Sequence, residues 1–378
     1  MPTRQAGPYL VHAVVHATQV LHAFEGPHES LRLCDVVART GLGKATCFRL
    51  LHTLQHCGLV ARVDAHRYRV TATIRPSRRY RLGFAEQGQH TSFNRDVQAG
   101  LVAAVEEEGL ELVVVDNRYQ PRVALRNAEH LIRAGVDLAI EFQTDEAIAP
   151  AIAARYLEAG VPLIAIDIPH PGGTYFGANN YRAGELAGRH LGKWARSRWD
   201  GRVDEVLLLG LGRAGTLVRA RMSGVMAGLQ SVLIGLDTAI VTTLDGDGQF
   251  ATSLERVRRH LRRSRATHVL VGAANDASAL GAARAFQEAG RAAHCAIVGQ
   301  NGEADARAEL RDPHSPLVAS VGYFPERYGE GLVRLALDLL AKRAVAPAIF
   351  IRHSVLTAGN VDHFYPNDAL LGVGSARP

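Results

Sequence analysis

The sequence is poor in cysteine. Four thiols, Cys34, Cys47, Cys57 and Cys295, are spread over 378 residues, and no two form a CxxC pair. Nothing in that pattern demands an oxidising compartment. No apolar run reaches the length of a membrane span. The first twenty residues, MPTRQAGPYLVHAVVHATQV, break their apolar positions with histidines and a threonine and offer no small-residue cleavage site. A signal peptide is therefore not expected, and the chain reads as cytoplasmic. Neither GxSxG nor HExxH occurs, and no nucleophile–base set stands out, so catalysis is not expected and no cofactor is called for. His12 and His16 lie four apart but have no third ligand in register, and no metal is expected either.

What is present is a large, unevenly charged chain. At 378 residues, 47% of them hydrophobic, it is long enough for two or three domains around a sizeable α/β core. The formal charge of +6 is concentrated at the front. Residues 1–81 hold 12 Lys and Arg against 4 Asp and Glu, whereas the remainder holds 31 against 33. A basic head on a near-neutral body points to a polyanionic partner for the head alone.

The head spans residues 1–74. Leu10, Val14, Ala17, Leu21 and Phe24 recur at helical spacing and predict a helix over 9–24, broken by Gly26 and Pro27. Ser30 is a candidate cap for a second helix over 30–40, with Leu33, Val36 and Val37 as its buried side. Thr40-Gly41 ends it, and a third helix follows from Lys44 to about Cys57. On that helix Cys47, Leu50, Leu51 and Leu54 share one face, and Thr46, Arg49 and Thr53 another. Beyond Gly58, two alternating segments around Asp64-Ala65-His66 predict a hairpin. Three helices and a two-stranded hairpin describe a winged helix-turn-helix, whose third helix offers its polar face to the DNA major groove. Lys44, Thr46, Arg49 and Thr53 are the candidate groove residues, and Arg62, His66 and Arg67 the candidate wing contacts.

The stretch LRLCDVVARTGLGKATCFRLLHTLQHCGLVARVDAHRYRV resembles the DNA-binding domain of IclR-type transcriptional regulators. The resemblance covers the whole head and implies a double-stranded DNA operator as partner, read by a homodimer. A serine usual in that family is Ala45 here.

Residues 75–81 read as an arginine-rich linker, and 82–378 as the body. From RLGFAE onward, strand and helix patterns alternate in two series, which predicts two doubly wound parallel sheets with a cleft at their carboxyl ends. GLGRAG places Gly210, Gly212 and Gly215 between a strand and a helix, matching a dinucleotide fingerprint. The acidic residue that fingerprint requires comes about ten positions late, at Asp245, so nucleotide binding is not the favoured reading.

The body resembles the type I periplasmic-binding-protein fold, as in ribose-binding protein and the effector domain of LacI-type regulators. The segments that carry the resemblance include SFNRDVQAGLVAAVEEEGLELVVVD, GANNYRAGELAG, AANDASALGAARAFQEAG and NVDHFYP. The resemblance implies lobe 1 over about 82–178 and 324–352, and lobe 2 over about 179–323 and 353–378. It also implies a sugar or polyol pocket. Phe93 would form an aromatic wall, Asp167 would accept hydroxyl hydrogen bonds, and Arg221 would donate two. Asn275 and Asn301 would bond hydroxyls from the second lobe. Asn94 stands where the family has a second aromatic, and Phe142 and Tyr323 stand where amides are common. Gln87, Glu141 and Gln143 add further polar groups.

The expected function is a transcriptional regulator whose operator affinity responds to a sugar- or polyol-like effector, lobe closure altering the spacing of two heads. Two alternatives make different demands. A transporter's solute-binding protein would carry an export signal and no basic head, and a nucleotide-dependent enzyme would need the glycine motif to work.

Overall fold

The computed structural model describes residues 11–24, 29–71, 80–89 and 91–368. The chain separates into two compact units, at Arg79 and Tyr80. Most of the expected linker, residues 75–79, lies outside the described residues. Arg81, assigned to that linker, instead opens the first strand of the body and donates to Glu111 and the Ala134 carbonyl.

The first unit contains α1 (His12–His22), β1 (Leu31–Arg32), α2 (Leu33–Thr40), α3 (Lys44–His56), β2 (Val60–Arg62) and β3 (Arg67–Val70). Glycine at position 41 takes φ +68°, the left-handed conformation that closes α2 and starts the tight turn into α3. Val20, Val36, Cys47, Leu51 and Leu54 meet in a core completed by Val60, Tyr68 and Val70. Three expectations are corrected. The wing has three strands, in the order β1-β3-β2, because Leu31 and Arg32 pair with Tyr68 and Arg67. Ser30 is not the cap of α2; the Asp35 carboxylate accepts the Arg32 amide there. Val14, expected on the buried stripe of α1, is 62% exposed.

The body's first sheet comes from a run of strand–helix units. These are β4 (Arg81–Glu86), α4 (Ser92–Glu107), β5 (Glu111–Asp116), α5 (Pro121–Arg133), β6 (Leu138–Phe142), α6 (Ala149–Glu158), β7 (Leu163–Ile166) and β8 (Thr174–Gly177). The second run is α7 (Asn180–Trp199), β9 (Glu205–Gly210), α8 (Gly215–Val232), β10 (Val241–Asp245), α9 (Phe250–Leu261), β11 (Val269–Ala273), α10 (Asp276–Glu288), β12 (Cys295–Asn301), α11 (Ala304–Leu310) and β13 (Leu317–Gly322). The chain then returns through α12 (Tyr328–Leu340), β14 (Ala348–Phe350), β15 (Ser354–Leu356) and α13 (Val361–Phe364).

The first sheet has the order β14-β8-β7-β6-β4-β5, parallel throughout. The second has the order β10-β9-β11-β12-β13-β15, parallel except for the last pair. Strands buried on both faces explain the near-continuous apolar runs LAIEF and VLVGA. In each sheet the strand order reverses once, between β4 and β6 and between β9 and β11. Loops leaving neighbouring strands diverge at such a point and leave a crevice at the carboxyl ends.

The chain passes between the two sheets three times, after β8, after β13 and after β14. Tyr323 and His353, from two of those crossings, pack as tilted rings with centroids 4.7 Å apart. The Asn179 amide, in the third, donates to His353 Nε2. Helices α7 and α8 pack closely because glycines face backbone across the contact: a Cβ at Gly188 would lie 2.0 Å from the Val225 carbonyl oxygen.

Candidate functional site

In the first unit, α3 presents Lys44, Phe48 and Arg49 to solvent, with Thr46 half-buried beside them. Among the described residues neither Lys44 nor Arg49 has an ion-pair partner, so both charges are available. Thr53 is also exposed, but its hydroxyl donates to the Arg49 carbonyl one turn back. Arg62 departs from expectation. Its guanidinium folds onto the Asp64 and Ala65 carbonyls and closes the hairpin turn. The Asp64 carboxylate, accepting the His66 and Arg67 amides, completes that turn and is held below its ordinary pKa by the His66 amide bond. His66 and Arg67 remain exposed. Arg69 was missed by the sequence reading. The exposed–buried alternation of β3 puts it on the same outer face as Arg67, a pattern legible once Tyr68 and Val70 are taken as core.

In the second unit a cleft lies between the two sheets. From the first sheet's loops and α4 come Gln87, Phe93, Asn94, Phe142, Gln143 and Asp167; from the second come Arg221, Asn275 and Asn301. The topology thus brings together most of the residues named from sequence, and it leaves out two. Glu141 points away from the cleft: it is fully buried, accepting from Asn117 Nδ2 at 2.8 Å and from the Tyr156 hydroxyl at 3.3 Å. Alternation along β6 is the reason, since Phe142 and Glu141 must face opposite sides. Burial pushes the Glu141 carboxyl up to about 8. Tyr323 is 1% exposed and lies behind the cleft wall, donating to Gln300. Its ring supports Arg221, whose guanidinium carbon sits 5.1 Å from the ring centroid.

The retained residues are held in distinct ways. Arg221, 6% exposed, donates to Asn180 Oδ1 and to the Ala274 carbonyl. Asp167 directly follows β7 with φ +59° and accepts the Ala178 amide. Burial raises the Asp167 carboxyl, and the nearby Arg221 charge opposes that rise. Phe93 is packed edge-on against Phe142, Tyr323 and Tyr328. Asn275 is largely committed to structure: its oxygen caps α10 and its amide donates to the Gly248 carbonyl. Asn301, at φ +117°, donates to Glu303.

Gln143 Nε2 and Thr144 Oγ1, in the loop after β6, are buried at the cleft and have no partner among the described residues. A buried donor or hydroxyl left unsatisfied costs about 1–3 kcal/mol. Both line the cleft, where a hydroxylated ligand would satisfy them.

Sequence reasoning did not find Tyr119, Thr144, Arg213, Asp247 or Glu303, all of which line the cleft. Tyr119 follows β5 and was findable by the rule that loops at carboxyl strand ends face the crevice. Arg213 was hidden inside the glycine motif. It pairs with Asp247 through both carboxylate oxygens. The motif itself serves the fold. The Gly212 amide donates to Asp245, and the first turn of α8 is taken by Glu146, whose carboxylate accepts the Thr216 amide at 3.1 Å. Gly215 has φ +79°, and a Cβ there would overlap the Glu146 carboxylate. The third glycine of the motif thus makes room for a carboxylate of the opposite lobe.

Comparison with known proteins agrees with this architecture. The periplasmic binding protein domain family model matches residues 83–344, well over half of the chain, and the chain belongs to that family. The IclR helix-turn-helix domain model matches residues 13–64. A ribose import binding protein of Salmonella typhimurium is 28% identical over 236 residues, covering 61% of this chain and 75% of that protein. The ribose import binding protein of Escherichia coli matches to the same extent. Among solved structures, a galactofuranose binding protein superposes with a TM-score of 0.67 at 16% identity, covering 78% of this chain and 99% of that one. A solute binding protein of Bacillus halodurans with bound myo-inositol gives 0.66 at 17% identity, covering 76% and 98%. At such identities these likenesses speak for the fold alone. Neither matching family is a family of enzymes, and no helix among the described residues is long and apolar enough to cross a membrane.

Proposed function

We propose that the protein is a cytoplasmic DNA-binding transcriptional regulator whose operator affinity is set by a sugar or polyol held in the body's cleft. One observation carries the reading: a helix-turn-helix unit with free cations on its third helix shares a chain with a cleft in which two buried polar atoms, Gln143 Nε2 and Thr144 Oγ1, lack partners among the described residues. Lys44 and Arg67 neutralise phosphates in this reading, and Arg49 and Thr46 meet base edges or backbone in the major groove. Asp167 and Arg221 bracket hydroxyls from opposite lobes, with Gln87, Gln143, Thr144 and Asn301 completing the set, and Phe93 offers an apolar wall to the C–H face of a ring. The protein acts as a homodimer on a pseudo-palindromic operator. Effector and operator affinities are then reciprocally coupled. A transporter's solute-binding role is less well supported, because it leaves the helix-turn-helix unit and its charge without a task.

Fluorescence anisotropy of the full chain with labelled DNA from upstream of its own gene, across a salt series and a panel of sugars and polyols, tests the reading. Specific, steeply salt-dependent binding that one compound shifts is the expected result. Failure to bind any local DNA would refute the regulator, and DNA binding indifferent to every compound would refute the effector.

A further inference from the structure

Part of the cleft wall is carbon. Ala149, Ile168, Ala214 and Val218 form one apolar cluster, with Leu211 packed against it, and all but Ala149 line the cleft. The cluster is drawn from both lobes. Ile168 belongs to the loop after β7, whereas Leu211, Ala214 and Val218 come from the turn between β9 and α8 and from the first turn of α8. Ile168, Ala214 and Val218 are each under 5% exposed, so a ligand group that reaches them is shielded from water. The cluster is also in step with the polar pair that brackets the ligand. Ile168 directly follows Asp167, and Val218 lies three positions before Arg221, on the same face of α8. A ligand whose hydroxyls meet Asp167 and Arg221 therefore presents its neighbouring atoms to Ile168 and Val218, again from opposite lobes. Phe142, at the end of the adjacent strand β6, adds a ring to the lining. None of these side chains carries a hydrogen-bonding atom.

We propose that this cluster receives an apolar substituent of the ligand, a methyl group where a common hexose carries a hydroxymethyl, so that the effector is a deoxy sugar rather than a fully hydroxylated one. The inference deepens the reading of the cleft as a sugar site and rests on it. A methyl placed against Ile168 and Val218 gains by leaving water. A hydroxyl placed there exchanges its waters for carbon and loses its hydrogen bonds. Because the two halves of the cluster stand in different lobes, the methyl is gripped from both sides, and its burial accompanies closure of the lobes. Ile168 and Val218 are thus the residues that set the choice of ligand, while Asp167 and Arg221 hold the hydroxyls common to both kinds of sugar.

Titration calorimetry of the full chain tests this with matched pairs that differ in that one group: L-fucose and L-galactose, D-fucose and D-galactose, L-rhamnose and L-mannose, 6-deoxy-D-glucose and D-glucose. D-Ribose and myo-inositol, which carry no such methyl, complete the panel. In at least one pair the deoxy sugar should bind about tenfold to a hundredfold more tightly than its parent. Val218→Thr keeps the shape and adds a hydroxyl, and Ile168→Thr does so with one carbon fewer; each should cut that ratio severalfold, chiefly by weakening the deoxy sugar. A parent that binds as tightly as its deoxy partner in every pair, or binding confined to D-ribose and myo-inositol, would overturn the inference and leave the cleft's sugar role intact. A preference unchanged by both substitutions would overturn the assignment to this cluster. Binding of none of these compounds would instead remove the sugar reading, and the inference with it.

Discussion

The two walls of the cleft are built on the same sheet topology but prepared differently. On the second-sheet side, polar groups are bound to their own lobe: Arg221 to Asn180 and Ala274, Arg213 to Asp247, Asn275 to Gly248, and Asn301 to Glu303. On the first-sheet side, Gln143 Nε2 and Thr144 Oγ1 have no partner among the described residues. One wall is therefore a preorganised set of donors and acceptors, and the other keeps an unmet demand. Preorganisation lowers the ordering cost of binding, and an unmet demand makes binding the event that satisfies it. The difference teaches that residues on the two walls should fail in different currencies, stability on one and affinity on the other.

The largest expected effect is on the prepared wall. Arg221→Ala removes two charge-assisted hydrogen bonds and a ring contact from a buried site, a loss of about 3 kcal/mol. Chemical denaturation of the full chain should show the body unfolding at clearly lower denaturant, with sugar binding lost as well. An Arg221→Ala protein of unchanged stability would break the comparison.

The opposite wall should give the mirror result. Gln143→Ala combined with Thr144→Val should weaken sugar binding about tenfold, roughly 1–2 kcal/mol. The thermal midpoint of the ligand-free protein should change little, because loss of the Gln143 bond to the Asp145 amide offsets the removal of two unsatisfied buried groups. A fall in midpoint with affinity intact would make these residues structural.

A smaller effect is expected where the walls touch. The Glu146 carboxylate, from the first lobe, sits on the first turn of α8 in the second, and the Glu146 amide donates to the Arg213 carbonyl. Anions at a helix N-terminus contribute about 0.3–1 kcal/mol. Glu146→Ala should speed hydrogen exchange at Thr216 and weaken sugar binding a few-fold. Gly215→Ala, which displaces the same carboxylate, should do likewise.

Much of this organisation was legible in the sequence because it follows from patterns of short range. The alternation of RLGFAE, LELVVVD and LAIEF with helical stretches specifies a parallel sheet, and the polar residues at the ends of those strands specify the cleft. What was not legible depended on long-range geometry. Whether Arg62 faces DNA or its own turn is decided by how the turn at Asp64, Ala65 and His66 closes. The third wing strand is only Leu31–Arg32, too short to have a period. Glu141 lies away from the cleft while its neighbour Phe142 lines it, and a strand buried on both faces gives no polarity signal to tell one side from the other. The glycine motif matched in sequence, but Glu146, which occupies its helix terminus, comes from 70 positions away.

The weakest handle on the comparison is pH, and there the lobes should behave alike. Each lobe holds a fully buried carboxyl set away from the cleft. Burial pushes Glu141 in the first from 4.5 up to about 8, and burial reinforced by the neighbouring Glu303 charge pushes Asp276 in the second well above its ordinary value. A carboxyl with a raised folded-state pKa binds more protons folded than unfolded, so its stabilisation is complete below the unfolded pKa and is lost as pH rises towards the folded one. For Glu141 that window runs from about 4.5 to about 8. Thermal unfolding of the full chain should therefore show the midpoint falling by a few degrees as pH rises from about 6 to about 9. Glu141→Gln keeps a neutral group of the same shape against Asn117 and Tyr156 and should remove the share of that fall that Glu141 carries. If the slope is unchanged in Glu141→Gln, the pH response belongs to other raised carboxyls, Asp276 among them, and Glu141 and Asp276 are not equivalent after all.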